Sequence, residues 1–272
     1  MSEDLVNDIC LREFTESPST IKRIEGGLNS RTVQIEVENN SFIIQITENS
    51  EPHELENCIN CFEFLKISEI PVPKVVSSLK EIENSHYTIV EFVDGDNLGE
   101  DFTEKQTLNS GKMLAKIHNF QSFEKAGWIS WENGEPEAEG FPEGSLRSRI
   151  EQLMIERLEF FEELDIEELA EVTEKFLQNH VEKVPKEFNP VFVHHDFNPG
   201  NILSEDEEIT AILDFDYSHS SHAQRDLAKA SNKFWLRGGD RETLYRGYRK
   251  LREIDDSFEQ HKLIYQLESL ID

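Results

Sequence analysis

Apolar and polar residues alternate along two short segments near the start of the chain. Residues 32–37 and 41–46 each repeat with a period of two, and Asn39 and Asn40 lie between them. Alternation on both sides of a turn-forming pair predicts a β-hairpin with one buried face.

The segments around this hairpin complete a small first lobe. Residues 1–17 predict a short helix, and residues 53–66 show helical spacing with one apolar stripe. A further strand is predicted at 86–93. We therefore expect a β-rich lobe over residues 1–92, with a hinge near 91–95.

The rest of the chain, residues 93–272, has mostly helical patterns. Three long segments of this kind are 145–164, 166–183 and 223–271. Two short apolar segments, 190–193 and 209–213, interrupt the helices and end in polar or charged residues. Together the two parts predict an α+β protein of two lobes, with a ligand-binding cleft between them.

The charge balance is strongly acidic. The 272 residues include 27 Lys and Arg against 56 Asp and Glu, a formal net charge of −29, and 37% hydrophobic residues for a packed core. A field of that sign repels nucleic-acid phosphates and anionic lipids, so we expect neither nucleic acid nor a membrane as a partner.

Two interpretations of this acidity remain open. The carboxylates either form a solvating surface, of the kind that suits high salt, or line a pocket for a cationic substrate. Because they are spread along the whole chain, we favour the surface interpretation.

The cysteine content predicts a reducing compartment, and the absence of signal-peptide and membrane patterns predicts the cytoplasm. Cys10, Cys58 and Cys61 cannot make a disulfide framework, and the pair at 58 and 61 lacks the companion ligands of a metal site, so buried thiols are expected. The sequence has no signal-peptide pattern at its start and no apolar run that would span a bilayer, which predicts a cytoplasmic protein.

The most informative stretch is residues 193–203, which is followed by 211–216. Asp196 ends a short apolar segment, Asn201 lies five residues later across a Pro-Gly turn, and Asp214 ends a second apolar segment. If the two strand ends lie side by side, these side chains meet at one edge of the cleft. Two carboxylates and an amide oxygen suit Mg²⁺, and phosphoryl transfer needs mainly positioning and neutralisation of charge.

The order and spacing of these residues resemble a known family. The pattern His-x-Asp-x₄-Asn, followed by an apolar strand and Asp-Phe-Asp, is similar to the catalytic and metal loops of protein kinases, with Asp216 in place of a glycine. Residues 194–203 and 213–216 resemble in particular the aminoglycoside phosphotransferase and choline kinase superfamily. Weaker matches lie at 26–30, 90–95, 111–118 and 225–228. The resemblance implies a bilobal protein-kinase-like fold, with a small β-sheet lobe and a larger helical lobe.

The resemblance also implies a role for each residue of the motif. Asp196 corresponds to the base that accepts or orients the proton of the substrate hydroxyl, and His194 braces the same catalytic loop. Asn201 and Asp214 would hold Mg²⁺ against the nucleotide phosphates, and Asp216 is either a further metal ligand or a neighbour of one. The implied activity is transfer of the γ-phosphoryl group of ATP, with GTP possible, to a hydroxyl of a small molecule.

In the first lobe the resemblance places the nucleotide. The residues that match the family's nucleotide loop are Gly26, Gly27, Asn29 and Ser30. Glycine there lets backbone N–H groups approach phosphates closely. The backbone at Glu91 and Val93 would hydrogen-bond to the purine.

One position departs from the family pattern. A Lys or Arg of the third strand usually reaches the α- and β-phosphates, and here that position is Gln45, which brings no charge. The alternative to a kinase is therefore a non-catalytic, pseudokinase-like nucleotide-binding protein. We favour an active enzyme, because the metal and base residues are intact and because sugar-kinase-like and homoserine-kinase-like members resemble this chain in having an uncharged residue there.

The expected acceptor is an aminoglycoside, a sugar, an amino alcohol or homoserine, each of which offers a hydroxyl group. Residues 121–144 form an insert with Trp128, Trp131 and several Glu, which either lines the acceptor site or forms an acidic loop. Family membership does not choose among these acceptors, because a fold is kept more widely than a substrate.

Overall fold

The chain divides into two compact units. The computed structural model describes residues 3–24, 31–48, 52–99, 102–163 and 167–271. The units are Met1–Gly95 with Thr210–Tyr217, and Asp96–Ile209 with Ser218–Asp272. The segment Thr210–Tyr217 thus belongs to the first unit, whereas the sequence-based division at residue 92 assigns it to the second lobe.

The first unit contains a five-stranded antiparallel sheet. In chain order its elements are α1 (Glu3–Phe14), β1 (Thr20–Ile24), β2 (Arg31–Val37), β3 (Asn40–Thr47), α2 (His53–Leu65), β4 (Val75–Ile82) and β5 (Ser85–Glu91). The strand order is β1-β2-β3-β5-β4. The predicted hairpin is β2–β3, in which Val33 lies opposite Ile44 and Ile35 opposite Phe42.

Helix α1 and one face of this sheet form the core of the first unit. The buried side chains that share it are Val6, Ile9, Cys10, Val33, Ile35, Val37, Ile44, Ile46, Tyr87 and Ile89. Burial of each large apolar side chain contributes about 1.5–3 kcal/mol. Because side chains alternate along a strand, Gln45 lies on the face opposite Ile44 and Ile46, and it is half-buried.

The second unit is mostly helical. Its elements are β6 (Asp96–Asn97), α3 (Glu104–Phe120), β7 (Trp128–Glu132), β8 (Glu135–Gly140), α4 (Leu146–Glu163), α5 (Glu167–His180), β9 (Pro190–Val193), β10 (Ile202–Glu205), β12 (His219–His222), α6 (Ala223–Leu236), α7 (Arg241–Tyr248) and α8 (Phe258–Ile271). β11 (Glu208–Ile212) crosses from the second unit into the first at Thr210.

The strand pairing corrects one expectation from the sequence. β9 pairs with β12, whereas β11 belongs to a sheet with β10 and β6. The two apolar segments at 190–193 and 209–213 therefore lie in different sheets. The segment at 209–213 pairs with β10, which is near it in sequence. The segment at 190–193 pairs with β12, whose polar residues do not show an apolar strand pattern.

Two glycines let α3 and α7 approach closely. A Cβ on Gly111 would lie 2.1 Å from the carbonyl oxygen of Leu244, and a Cβ on Gly247 would lie 2.1 Å from that of Leu108. Helix α3 begins at a capping box, in which Thr103 and Gln106 exchange side-chain to backbone hydrogen bonds. This packing fixes α3 within the second unit. None of the helices in the described ranges has the length and apolar character needed to cross a membrane.

Candidate active site

Asp196 lies in the loop that follows β9. β12 pairs with β9, with Val193 opposite His219. His195 then adopts a left-handed backbone conformation, with φ 70°, which turns the chain out of the strand. A residue other than glycine is uncommon in this region, so the surroundings must hold the turn.

The carboxylate of Asp226 on α6 holds this turn. Its oxygens accept hydrogen bonds from the backbone N–H groups of His194, at 2.9 Å, and His195, at 3.0 Å. Nε2 of His118 lies 3.1 Å from Oδ2 of Asp226, and the hydroxyl of Tyr248 lies 2.7 Å from Nδ1 of His118. All of these side chains except His195 are fully buried, so Asp226 anchors the loop from inside the unit.

Electrostatics favour a charged Asp226 and a neutral His118. Burial acts to raise the pKa of Asp226, but hydrogen bonds from His118 and the backbone outweigh it, and the pKa lies below its ordinary value. Burial lowers the pKa of His118 despite the attraction of Asp226. Neutral His118 therefore donates its Nε2–H to Asp226 and accepts a hydrogen bond from Tyr248 at Nδ1.

Both carboxylate oxygens of Asp196 contact neighbouring side chains. Nδ2 of Asn201 donates to Oδ2 of Asp196 at 3.0 Å, and Nζ of Lys233 on α6 donates to Oδ1. Burial acts to raise the pKa of Asp196, but the charge and the hydrogen bond of Lys233 outweigh it and hold the pKa below its ordinary value. Asp196 is thus an ionised and partly accessible carboxylate, the state that a base requires.

The turn between Asp196 and Asn201 explains why these residues meet. Oδ1 of Asn198 accepts a hydrogen bond from Gly200 N–H at 2.8 Å, and its carbonyl accepts one from Asn201 N–H at 3.0 Å. Nδ2 of Asn201 also donates to the carbonyl oxygen of Asp196 at 3.1 Å. Because the amide nitrogen is engaged in this way, Oδ1 of Asn201 is the atom that suits a cation.

The other predicted loop, residues 213–216, belongs to the first unit. Asp214 follows β11 with a left-handed backbone, φ 63°. Nδ2 of Asn57 on α2 donates to the carbonyl oxygens of Phe215, at 3.2 Å, and Asp216, at 3.0 Å. Phe215 is fully buried. Helix α2 therefore fixes the backbone that carries Asp214 and Asp216.

Cys58 on α2 is buried, and its surroundings are acidic. Burial raises the pKa of its thiol, and the negative charges of Asp216 and Asp214 raise it further. A carboxylate at this buried position would be repelled by the same two groups, so the neutral thiol suits the position. As predicted, Cys10, Cys58 and Cys61 are buried thiols outside any disulfide.

Each of the two units carries predicted oxygen donors of the kind that Mg²⁺ prefers. No group of three or more His, Cys, Asp or Glu side chains in the described ranges can hold a metal ion. Oδ1 of Asn201 and the carboxylates of Asp214 and Asp216 are hard oxygen donors. Mg²⁺ is usually bound through one or two carboxylates together with substrate phosphates.

The predicted nucleotide-binding residues fall into two groups. Those outside the described residues are Gly26, Gly27, Asn29 and Ser30. Of the others, Gln45 is half-buried in β3, and Val93 is half-buried just beyond β5. Glu91 donates its N–H to the carbonyl of Lys74 at 2.9 Å, so this N–H is already engaged.

A buried cluster of charges supports the Asp196 loop from α6 and α8. Glu268 accepts hydrogen bonds from Nε of Arg225 at 2.9 Å and from Nζ of Lys229 at 3.3 Å. Nζ of Lys229 also lies 3.1 Å from Nε2 of His195, and Nη1 of Arg225 lies 3.1 Å from Nε2 of His219. Lysine and arginine only donate, so both histidines accept at Nε2.

The pKa values of this cluster agree with that arrangement. Burial acts to raise the pKa of Glu268, but Arg225 and Lys229 outweigh it and lower the pKa to about 2. Burial, reinforced by the charges of Lys229 and Arg225, places the pKa of His195 well below its ordinary value. The cluster is thus a fixed set of two cations, one carboxylate and neutral imidazole.

The insert at residues 121–144 contains the β7–β8 hairpin. Its Trp128 ring lies 5.3 Å from the ring of His219 and 6.0 Å from that of Phe141, between ring centroids. The ring of His219 in turn lies 4.7 Å from that of His195. This hairpin is therefore close to the loop of the candidate base.

Several supporting residues were not found by reasoning from the sequence, among them Lys233, Asn57 and Glu268. Lys233 lies seven residues after Asp226, two turns along the same helix, and that spacing is the signal that points to it. Asn57 and Glu268 have no comparable signal, because their partners are distant in sequence.

The chain combines a unit with an antiparallel sheet, a helical unit and a His-x-Asp-x₄-Asn loop. These are the features of a small-molecule kinase with the protein-kinase-like fold. The chain belongs to the phosphotransferase enzyme family APH, whose model matches residues 20–260. The predicted family is therefore confirmed, and with it an enzyme that phosphorylates a hydroxyl group.

Solved structures confirm the predicted fold. The GDP complex of wild-type aminoglycoside 2'-phosphotransferase-IIIa is 16% identical, with a TM-score of 0.73 over 100% of this chain and 90% of that chain. A putative fructosamine-3-kinase from Haemophilus somnus 129PT is 16% identical, with a TM-score of 0.67 over 98% and 88%. A thermostable mutant of aminoglycoside phosphotransferase APH(4)-Ia, in ternary complex with AMP-PNP and hygromycin B, is 16% identical, with a TM-score of 0.63 over 97% and 88%. Curated protein sequences gave no match.

Proposed function

We propose that the protein transfers the γ-phosphoryl group of ATP or GTP to a hydroxyl of a small molecule, with Asp196 as the base. The observation that carries this proposal is the ionised carboxylate of Asp196 between Asn201 and Lys233, on a loop anchored by buried Asp226. Similar structures with GDP and with AMP-PNP support a nucleotide as the phosphoryl donor.

The residues of the chain would act in a simple sequence. The acceptor hydroxyl donates a hydrogen bond to Asp196, and its proton passes to that carboxylate as the oxygen bonds to phosphorus. The bond from phosphorus to the bridging oxygen breaks, and the nucleoside diphosphate leaves with the electron pair. Mg²⁺ held by Asn201, Asp214 and Asp216 would neutralise phosphate charge. His194, fully buried and bound through its backbone N–H to Asp226, would brace the loop.

The nucleotide would bind through backbone groups. The loop Gly26, Gly27, Asn29 and Ser30 would present N–H groups to the phosphates. Glu91, through its carbonyl oxygen, and Val93 would hydrogen-bond to the purine. Gln45 would add a neutral donor to the phosphates where many relatives have a cation.

The acceptor would bind beside the β7–β8 hairpin. Trp128 contacts His219, which contacts His195 next to Asp196, so this series of rings leads from the hairpin to the base. The half-exposed Trp128 would offer a flat apolar surface to a small ring-shaped molecule. The named relatives act on or bind aminoglycosides and fructosamines, and we propose an acceptor of comparable size with several hydroxyl groups.

The test is nucleoside diphosphate release from Mg·ATP and Mg·GTP, in low and molar salt, with aminoglycosides, sugars, amino alcohols and homoserine as acceptors. We expect acceptor-dependent release that falls about 10²–10⁴-fold in Asp196→Asn. Asp256→Asn, which changes an exposed carboxylate of the same unit, is the matched control and should keep full activity. If no acceptor supports release and the nucleotide still raises the melting temperature, the non-catalytic alternative replaces this proposal.

A further inference from the structure

Helix α6 presents a row of cations to the loop of the candidate base. Lys229, Lys233 and Arg237 follow one another at four-residue spacing, which places them on one face. Nζ of Lys229 contacts His195, Nζ of Lys233 contacts Asp196, and Nη1 of Arg237 would lie 3.0 Å from a Cβ on Gly200. This local positive face stands out in a chain whose formal net charge is −29.

Exposure separates the roles of the two lysines. The side chain of Lys229 is 1% exposed and lies against Glu268, so it belongs to the buried support of the loop. The side chain of Lys233 is 21% exposed, and its partner Asp196 is 28% exposed. A ligand that reaches Asp196 therefore also reaches Nζ of Lys233.

The geometry of phosphoryl transfer determines which substrate atoms lie next to Lys233. The acceptor oxygen must lie within about 2.6–3.2 Å of the Asp196 carboxylate. The phosphorus atom bonds to that oxygen. The non-bridging phosphoryl oxygens therefore lie next to Nζ of Lys233, which contacts Asp196. Charge builds up on these oxygens in the transition state, and a cation held there in advance stabilises them.

We propose that Lys233 is a catalytic residue that binds the non-bridging oxygens of the phosphoryl group during its transfer. The inference rests on the proposed function. In this step the O–H bond of the acceptor breaks and its proton moves to Asp196, the new O–P bond forms, and the nucleoside diphosphate leaves with the electrons of the broken P–O bond. Lys233 keeps its protons throughout and supplies, from α6, positive charge that Gln45 does not bring.

The first measurement is steady-state kinetics of Lys233→Met and Lys233→Arg. We expect Lys233→Met to lower kcat by roughly 10²–10³-fold with little change in the KM of the acceptor, and Lys233→Arg to recover part of the loss. The control is Lys262→Met, because Lys262 is 24% exposed and pairs with Glu259 at 2.6 Å in the same unit. It should keep the wild-type kcat. A kcat within threefold of wild type in Lys233→Met would overturn the proposal.

The second measurement needs no turnover. ADP with aluminium fluoride mimics the transferring phosphoryl group, and its binding can be compared with that of ADP alone by calorimetry in Mg²⁺ buffer. We expect Lys233→Met to weaken binding of the mimic by at least about tenfold while ADP binds as in wild type. Equal losses for both ligands would mean that Lys233 only supports the loop, and would overturn the proposal.

These two measurements also separate the inference from the function on which it rests. If wild-type protein turns over no acceptor but Lys233→Met weakens binding of the mimic and not of ADP, the acceptor assignment fails and the role of Lys233 stands. If wild type turns over an acceptor and Lys233→Met does so equally well, the function stands and this inference fails.

Discussion

Two loops carry the candidate site residues, and they are anchored by different kinds of contact. The Asp196 loop rests on buried charges, through Asp226 beneath its backbone and Glu268 behind His195 and Lys229. The contacts that hold the segment 214–217 include two neutral hydrogen bonds from the amide of Asn57 and the packing of the buried ring of Phe215. Losing one partner of a buried ion pair costs far more than losing a neutral hydrogen bond. The base loop should therefore be the more sensitive of the two.

The largest effect is expected from Glu268→Gln. This change removes the buried negative charge that bonds to both Arg225 and Lys229. We expect the free energy of unfolding of the second unit to fall by about 3–5 kcal/mol. Urea denaturation followed by tryptophan fluorescence measures it.

Glu259→Gln is the control for this prediction. Glu259 lies on the same helix and pairs with Lys262, but its side chain is 69% exposed, so the loss should stay below about 1 kcal/mol. Equal losses in the two variants would show that the buried charges do not dominate the anchoring of the base loop.

The second largest effect concerns pH. Burial lowers the pKa of His222 to about 3 and that of His261 to about 4, and each remains close to its ordinary value of about 6.5 in the unfolded chain. As the pH falls below about 6.5 the unfolded state takes up protons first, so stability is lost towards pH 4. For His261 we expect a loss of about 2 kcal/mol between pH 7.5 and 5.

A variant isolates the contribution of His261. Nε2 of His261 donates to Oε1 of Gln224 at 2.8 Å, and the amide of a glutamine at position 261 can donate in its place. His261→Gln should flatten the fall in urea midpoint between pH 7.5 and 5. An unchanged slope would assign the acid sensitivity to carboxylates instead.

The same contrast explains how much of the fold was predictable from sequence. The β2–β3 hairpin and α2 were predicted because each has a regular period of its own. β12, His219–His222, was not, because its four residues are polar and yet buried. Their burial depends on partners such as Arg225 and Tyr265, which a strand pattern does not reveal.

The candidate site divides in the same way. Asp196 and Asn201 were predicted together, and they are in contact, because five residues and a tight turn connect them. Lys233 was not predicted, since it lies 37 residues beyond Asp196 and reaches it only after α6 has packed into the unit. Residues close together in the motif can therefore be predicted to meet, whereas a charge such as that of Lys233, which lowers the pKa of Asp196, is brought near by tertiary structure.

A smaller effect is expected from Asn57→Ala in the first unit. The change removes two neutral hydrogen bonds, to the carbonyl oxygens of Phe215 and Asp216, and should cost about 1–2 kcal/mol. Asn7→Ala is the control, because Asn7 makes one exposed hydrogen bond to the carbonyl of Glu3. If Asn57→Ala costs as much as Glu268→Gln, the two loops do not differ in the way proposed.

The smallest effect is expected from Tyr217→Phe at the end of the same segment. The hydroxyl of Tyr217 donates to Oε1 of Glu54 at 3.1 Å, and the tyrosine is 40% exposed, so water replaces the lost bond readily. The shift in the urea midpoint should correspond to a fall in the free energy of unfolding of less than about 0.5 kcal/mol. A loss above about 1 kcal/mol would show that this exposed contact, rather than the amide of Asn57, fixes the segment that carries Asp214 and Asp216.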